Sequence, residues 1–132
     1  MLRGCWILTK DWLQSSWDAG YWEEEEDFEM ITFSGAVKTC RRRREAFGSV
    51  NNKCDLFREC GTIHVSRQCQ APAKDLSELV RLAGGSLVNQ ARMADIVVGC
   101  GDVDTAENCV GEKWILDSIQ QMKIKDMKEY AL

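Results

Sequence analysis

The chain has 132 residues, of which 45% are hydrophobic and 29% charged, a composition typical of a folded domain and not of a disordered chain. Its net charge is −4, so the overall balance gives no support for a double-stranded nucleic-acid binder. Apolar runs are only a few residues long and the N-terminus has no cleavage pattern. We therefore expect no membrane span and no signal peptide.

The 7 cysteines are odd in number, and none forms a Cys-x-x-Cys pair. Without a secretion signal, this indicates free thiols in a reducing compartment. The closest spacing, Cys54 to Cys60, and the lone His64 do not complete a zinc-binding pattern. We therefore expect no metal site and no cofactor.

The first predicted elements are a short buried strand over residues 5–8 and a helix after it. Thr9 stands where a helix N-cap belongs, and an apolar stripe runs from Trp12 to Trp17. Gly20 is suited to the position just after the helix, where a left-handed backbone conformation is common. This region therefore predicts one strand followed by one amphipathic helix.

An acidic run, Glu23 to Asp27, follows this helix. Such a run is typical of a solvated surface segment, with an acidic docking patch as the alternative. Residues 31–59 then have mixed composition and weak periodicity, which predicts a linker with a short helix near 38–46. Its four arginines, Arg41, Arg42, Arg43 and Arg44, are a candidate nuclear import signal or anion patch. The alternative is a solvated basic turn.

A complete α/β unit is predicted from residue 60 to the C-terminus. A helix that starts near Pro72 ends at Gly84-Gly85, and residues 100–106 are predicted to be a loop or a single helical turn. Strands are predicted over residues 62–66, 86–88, 94–99 and 108–110, and a last helix over 112–122. Strands that alternate with helices indicate a parallel sheet flanked by helices, with right-handed crossovers.

Two stretches of the chain resemble each other at a fixed offset. Residues 112–118 match residues 10–16 when Trp114 is laid on Trp12, an offset of 114 − 12 = 102 residues. Self-similarity at one offset is the mark of a repeated structural unit. Only five residues precede Trp6, so the chain is predicted to hold one whole repeat preceded by the last third of another.

The second unit resembles the BRCT repeat. The features that carry the resemblance are a helix, Gly84-Gly85, a short strand, an apolar strand with Asp95 near its start, and a last helix with Trp114-x-x-x-Ser118. The resemblance implies an α/β, BRCT-like fold with a four-stranded parallel sheet flanked by helices, preceded by the C-terminal part of another BRCT repeat. The implied domains are residues 1–30 (C-terminal part of a first repeat), 31–59 (linker) and 60–132 (complete second repeat).

The resemblance also implies a function: a non-catalytic phosphoprotein reader that acts in the DNA-damage response, the cell cycle and chromosome condensation. Its implied partners are phosphorylated nuclear proteins, a phosphorylated histone variant tail among them, with neither a membrane nor a specific nucleic acid as partner. The apolar residues within 5–30 are further expected to dock on the complete repeat or, by self-association, on another copy of the chain. The implied location is the nucleus, with the centrosome as a second site.

In such tandems the phosphate is held by the first repeat, at positions that fall before residue 1, so the resemblance assigns no phosphate-binding residue to this chain. The second repeat supplies a pocket for a partner side chain, three residues after the phosphorylated one. Carried onto this sequence, that pocket involves Ala71, Pro72, Glu112 and Leu116. Packing at the interface between the repeats is the alternative role for Leu116.

Two other classes of function were weighed against an interaction module. A small α/β enzyme or redox protein would need an activated cysteine, and only His64 is available as a base, with Cys69 five residues away. The chain also lacks a Gly-x-Ser-x-Gly elbow, a phosphate loop and a dinucleotide fingerprint. A nucleic-acid binder using Arg41–Arg44 would make few phosphate contacts and bind weakly. The sequence therefore predicts a protein that is not an enzyme.

Overall fold

The computed structural model describes residues 1–51, 53–99 and 108–132, and the chain divides into two compact units, Met1–Asn52 (unit 1) and Lys53–Leu132 (unit 2). The loop expected over 100–106 lies outside the described residues. Among the residues described, no helix is both long and apolar enough to cross a bilayer.

The four α-helices of the described part are α1 (Asp11–Ala19), α2 (Ala36–Asn51), α3 (Ala73–Leu82) and α4 (Lys113–Gln121). Its strands are β1 (Thr62–Val65), β2 (Ser86–Leu87), β3 (Ile96–Val98) and β4 (Cys109–Val110).

Unit 2 is built on a four-stranded parallel sheet in the order β2-β1-β3-β4. β1 crosses through α3 to β2 on one side and pairs with β3 on the other. β3 is buried along its whole length, as expected for an inner strand of a parallel sheet. The predicted fold class is confirmed, and the strands begin and end within about two residues of the predicted bounds.

The core of unit 2 lies between the sheet and the helices. Trp114 is fully buried, and its ring lies 5.3 Å from that of Phe57, centroid to centroid. Other fully buried members of this core are Ile63, Leu76, Val80, Val97, Val98, Val110 and Ile115. His64 is half-buried on β1, as predicted, and its Nδ1 lies 3.0 Å from the carbonyl oxygen of Val88.

Steric constraints require glycine at both positions of the Gly84-Gly85 pair. Gly84 has a φ of 85°, which L side chains rarely adopt, and a Cβ there would collide with the carbonyl oxygen of Cys54. A Cβ on Gly85 would collide with the side chain of Val80, inside α3. The two glycines therefore let the chain reverse tightly from α3 into β2.

Unit 1 differs from the sequence prediction at its start. Residues 5–8 are not a buried strand: Leu8 makes only an isolated antiparallel bridge with Glu29, and Trp6 is 36% exposed. The described part of unit 1 has no parallel strand beside them, so the apolar run has no sheet to enter. The expected Thr9 cap is also wrong, because Lys10 is the N-cap residue of α1 and makes no side-chain cap.

The segment 31–59, predicted as a linker with a short helix near 38–46, contains the whole of α2. Val37 and Cys40 of this helix are buried in unit 1, whereas Phe57 is buried in unit 2. The apolar periodicity of α2 is weak because its buried positions include Arg41, which is only 3% exposed. The structure therefore places the boundary between the units at 52/53, and the domain assignment by repeats stays a prediction.

The expectation of free thiols throughout is wrong at Cys109, which is disulfide-bonded. Five described cysteines lie outside any disulfide: Cys5, Cys40, Cys54, Cys60 and Cys69. No group of three or more potential metal-ligating side chains occurs in the described ranges.

Candidate functional site

The two units share one local construction, repeated at the offset of 102 residues. In unit 1 the indole Nε1 of Trp12 donates to the carbonyl oxygen of Glu23 at 2.9 Å. In unit 2 the indole Nε1 of Trp114 donates to the carbonyl oxygen of Lys125, also at 2.9 Å. Helices α1 and α4 themselves lie at the same offset, since 11 + 102 = 113 and 19 + 102 = 121.

In each unit a serine hydroxyl makes a second hydrogen bond to the residue that the tryptophan contacts. The hydroxyl of Ser16 accepts from the N–H of Glu23 at 3.0 Å, and that of Ser118 accepts from the N–H of Lys125 at 3.1 Å. Both serines are buried, and their oxygens satisfy an amide that would otherwise lack a partner. The Trp-x-x-x-Ser pattern therefore fixes the segment that follows the helix against the helix itself.

In both units the chain then returns along the segment that precedes the helix. In unit 1 the N–H of Thr9 donates to the carbonyl oxygen of Phe28 at 2.8 Å, and in unit 2 Gly111 donates to Tyr130 at 2.9 Å. The two antiparallel bridges, Leu8 with Glu29 and Val110 with Ala131, are also 102 residues apart. The internal similarity predicted from the sequence is thus present in the main-chain hydrogen bonds.

In unit 2 the predicted pocket residues lie beyond the carboxyl ends of the strands, where parallel sheets commonly bind ligands. Glu112 precedes α4, and its Oε2 accepts from the N–H of Ala71 at 3.1 Å. Ala71 precedes Pro72, which is the N-cap residue of α3. The carboxylate therefore ties the start of α3 to the start of α4.

A cavity of about 430 Å³ lies beside Glu112 at this edge. It does not include Ala71, Pro72 or Leu116. Its lining is Gln68, Cys69, Gln70, Gly99, Gly111, Glu112, Lys113, Glu129, Tyr130, Ala131 and Leu132. The structure thus brings Ala71, Pro72 and Glu112 together and places Leu116 one helical turn beyond Glu112, 40% exposed.

Tyr130 is a lining residue that the sequence analysis did not assign to the site. Its hydroxyl donates to Asp117 Oδ2 at 2.9 Å, and this hydrogen bond raises the pKa of the phenol. The bond fixes the returning C-terminal segment to α4. The only sequence signal was the repeat itself, in which Tyr130 corresponds to Phe28, a residue without a hydroxyl.

Comparisons with known proteins agree with this geometry. The chain is 36% identical over 132 residues to microcephalin of Colobus guereza, which covers 98% of this chain but only 16% of the relative. It resembles the solved BRCT domain from human DNA repair protein REV1 with a TM-score of 0.52 at 19% identity, covering 64% of this chain and 95% of that domain. The chain belongs to the BRCT family. BRCA1-associated RING domain protein 1 of Mus musculus is 27% identical over 95 residues, 72% of this chain and 11% of that protein. No family model matches.

BRCT homologues are generally non-catalytic interaction modules, and the chemistry of the candidate nucleophile fits that role. Cys69 Sγ lies 3.6 Å from the carbonyl oxygen of Val98, while His64 contacts a different carbonyl, that of Val88. Burial raises the pKa of the Cys69 thiol, and the charge of Glu112 raises it further. Both effects disfavour the thiolate, which is the reactive form of cysteine.

The arginine run is not an exposed basic turn in this BRCT chain. All four arginines lie on α2, and Arg41 is buried. Its guanidinium makes two hydrogen bonds to Glu29, at 2.7 and 3.0 Å, and one to Glu45 at 2.8 Å. It also stacks over the ring of Trp6, 3.9 Å from the centroid. These carboxylates raise the pKa of Arg41 above its ordinary value.

The other three arginines differ in exposure. Arg42 is exposed, whereas Arg43 and Arg44 are half-buried. Arg44 Nη1 lies 3.2 Å from Cys5 Sγ and 3.4 Å from the carbonyl oxygen of Arg3. The structure therefore removes Arg41 from the predicted import or anion patch and leaves Arg42 as its exposed member; a role in nuclear import stays a prediction.

Proposed function

We propose that this BRCT chain is a non-catalytic protein-interaction module that receives an apolar side chain of its partner at the carboxyl edge of the sheet in unit 2. The observation that carries the proposal is the 3.1 Å hydrogen bond from Ala71 to Glu112. It holds the starts of two helices side by side next to an open cavity of about 430 Å³, with Leu116 exposed one turn away. The cavity has Ala131 and Leu132 among its lining residues, and a fixed, partly apolar cavity is the ordinary form of a side-chain pocket.

We propose further that the partners are phosphorylated nuclear proteins of the DNA-damage response, and that chromosome condensation and the nucleus are its setting. The support is the similarity to microcephalin and to BRCA1-associated RING domain protein 1, together with the BRCT fold. The chain spans only 16% of the microcephalin relatives, so these roles of whole proteins are carried over as proposals.

The affinity of this pocket by itself is expected to be low. Burial of one apolar side chain contributes about 1.5–3 kcal/mol. Association costs at least about 4 kcal/mol of translational and rotational freedom. We assign no phosphate-binding residue to this chain, so a phosphorylated peptide gains no charge-assisted bond here. The dissociation constant for residues 1–132 should therefore be no tighter than about millimolar.

NMR titration is suited to affinities in this range. The probe is a synthetic peptide with a phosphoserine and a leucine three residues after it, compared with its unphosphorylated form. We expect both peptides to shift the same amide signals, those of residues 66–72 and 111–116, with dissociation constants within about twofold of each other. Leu116→Asp should abolish the shifts.

The matched control is Leu87→Asp, because Leu87 is 38% exposed, close to the 40% of Leu116, and lies on the edge strand β2. This variant should bind like the unmodified chain. If neither peptide shifts signals at the carboxyl edge, the pocket is wrongly placed. A micromolar affinity that depends on the phosphate would show instead that the chain contains a phosphate site.

A further inference from the structure

The cavity at the carboxyl edge of unit 2 carries more acidic than basic groups. Its charged lining side chains are Glu112, Glu129 and Lys113, which sum to 1 − 2 = −1. In the described part of unit 2 neither carboxylate lies within ion-pair distance of a lysine or arginine, and the ion pair found there joins Arg81 to Glu78. The residues outside the described ranges include no lysine or arginine. The lining therefore presents negative charge that unit 2 does not neutralise.

Glu112 is the carboxylate whose position the structure fixes. It is half-buried, and its Oε2 accepts from the N–H of Ala71 at 3.1 Å. An ionised carboxylate has about four lone-pair sites, and this bond uses one of them. The charge of Glu112 acts inside the cavity, because the pKa of the Cys69 thiol is raised by burial and, in addition, by this carboxylate. Glu112 can therefore accept further hydrogen bonds from a donor that enters the cavity.

The rest of the lining suits the stem of a long basic side chain. Ala131 and Leu132 supply apolar surface on the returning C-terminal segment. Lysine and arginine bury their methylene stems on such surface while their charged heads reach polar partners. An acidic side chain would meet like charge here, and a purely apolar one would cover the carboxylates without offering them a donor. A basic side chain is the occupant that satisfies both parts of the lining.

We propose that this cavity takes a basic side chain of the partner, an arginine or a lysine, whose donors bond to Glu112 and Glu129. The inference rests on the proposed function and refines it. The apolar side chain of the partner contacts Leu116, and a basic side chain of the same segment enters the cavity beside Glu112. Charge-assisted bonds of this kind are about twice as strong as neutral ones, so the basic residue adds specificity to a weak apolar contact.

The spacing of the two contacts limits the partner sequence. Leu116 lies one helical turn beyond Glu112, which is about 5.4 Å along the axis of α4. Successive residues of an extended peptide advance by roughly 3.3 Å. The basic residue is therefore expected one or two positions from the apolar residue. The partner is a protein segment in which these two residue types stand that close together.

Paired peptides test the requirement for charge. Four capped, unphosphorylated peptides contain one leucine, with an arginine one or two residues before or after it. Each is matched by a peptide with citrulline in place of arginine, because citrulline keeps the shape of the side chain and loses its charge. NMR titration of residues 1–132 should give, for at least one pair, a dissociation constant at least about threefold lower for the arginine peptide. Both members should shift signals of residues 66–72 and 111–116.

Substitutions in the chain identify the carboxylates. Glu112→Gln removes the charge but keeps an oxygen that can accept from Ala71, and Glu129→Gln removes the second charge. Each should reduce the advantage of the arginine peptide, while citrulline-peptide binding stays within about twofold. Lys113→Gln should increase the advantage. The matched control is Glu59→Gln, because Glu59 is exposed and lines a different cavity of unit 2, so its replacement should leave the advantage unchanged.

The outcomes separate this inference from the proposed function. Equal affinities for the arginine and citrulline peptides, with shifts at the carboxyl edge, would overturn the basic-side-chain cavity and leave the apolar contact standing. An equal loss of the advantage in Glu59→Gln would also overturn it, since charge anywhere on unit 2 would then suffice. An advantage that persists in Leu116→Asp and with alanine in place of leucine would support the cavity and contradict the apolar contact. Shifts by none of the peptides would overturn both.

Discussion

At the scale of single residues, Trp12 and Trp114 make the same hydrogen bond in different surroundings. Trp114 is fully buried against Phe57, while Trp12 is half-buried and stacks on Trp22, with ring centroids 5.1 Å apart. The indole N–H is satisfied in both units, so the difference between the two positions is mainly a difference in packing.

We expect Trp114→Ala to lower the free energy of unfolding of unit 2 by about 3–5 kcal/mol, because it removes a large buried aromatic side chain and leaves a cavity. Trp12→Ala should cost less, since the ring is partly solvated before the change. Chemical denaturation followed by circular dichroism measures both. An unchanged midpoint for Trp114→Ala would show that the core of unit 2 is wrongly assigned.

Asp95 is expected to make stability depend on acid pH. Its Oδ2 accepts from the backbone N–H of Thr62 at 2.8 Å and from the hydroxyl at 3.1 Å, and these bonds lower the pKa of the carboxyl below its ordinary 3.8. The ionised carboxylate is therefore more stable in the folded chain than in the unfolded chain. These bonds contribute fully to folding stability above pH 3.8, and their contribution is lost as the pH falls through the lower pKa of the folded state.

Asp95→Asn tests this dependence, because the amide oxygen can still accept while the titration is removed. The unmodified chain should lose stability relative to Asp95→Asn as the pH falls from about 5 to about 2. This range spans the ordinary pKa of aspartate and the values below it, where the carboxyl takes up its proton. Thermal melts across that range give the comparison. Parallel curves for the two proteins would mean that Asp95 contributes nothing to the acid response.

At the scale of elements, α2 depends on one buried ion pair. Replacement of Arg41 by Ala leaves Glu29, itself 8% exposed, with an uncompensated charge, so we expect a loss of about 3–5 kcal/mol in the stability of unit 1. Arg42→Ala is the matched control on the same helix, and as an exposed residue it should change stability by no more than about 0.5 kcal/mol. Urea titrations of both variants would settle the difference, and equal midpoints would contradict it.

The elements of unit 2 could be predicted because each has a local signal. The alternation in β1, the apolar run of β3 and the Gly84-Gly85 pair are visible in the sequence, and the structure places them as expected. Only a short helix near 38–46 is predicted where α2 spans Ala36–Asn51, because the buried face of α2 includes an arginine, which no apolar pattern detects. Residues 5–8 do not form the predicted strand, because a strand needs a neighbouring strand to pair with. An apolar run in the sequence does not show whether such a partner is present.

The candidate site was predictable only in part. The family resemblance pointed to Ala71, Pro72, Glu112 and Leu116, and the bond between Ala71 and Glu112 joins two of them across 41 residues. The cavity, however, is lined by the returning C-terminal segment, including Tyr130, and lies beside Glu112, away from Leu116. The Trp-x-x-x-Ser pattern accounts for the segment just after α4, but the return beside β4 also depends on main-chain hydrogen bonds, which that pattern does not specify.

At the scale of the whole molecule, unit 2 has its own sheet and core. We expect residues 53–132 alone to unfold cooperatively at a temperature within a few degrees, roughly 4 °C, of the transition of unit 2 in the full chain, because its buried core draws on its own residues. Calorimetry of the two proteins provides the measurement. A broad transition, or none, in residues 53–132 would show that unit 1 is needed for unit 2 to fold.

The hydrogen bonds that join each helix to its returning segment have a kinetic consequence. Trp114 and Lys125 are 11 residues apart and Ser118 and Lys125 are 7, whereas the strand pair Ile63 and Ile96 is 33 residues apart. Loops of about ten residues close in roughly 10–100 ns, while distant parallel pairings are intrinsically slow. The helix and its returning segment can therefore assemble before any sheet exists. In unit 2, α4 and its returning segment would therefore already be joined while the strands are still searching for their register.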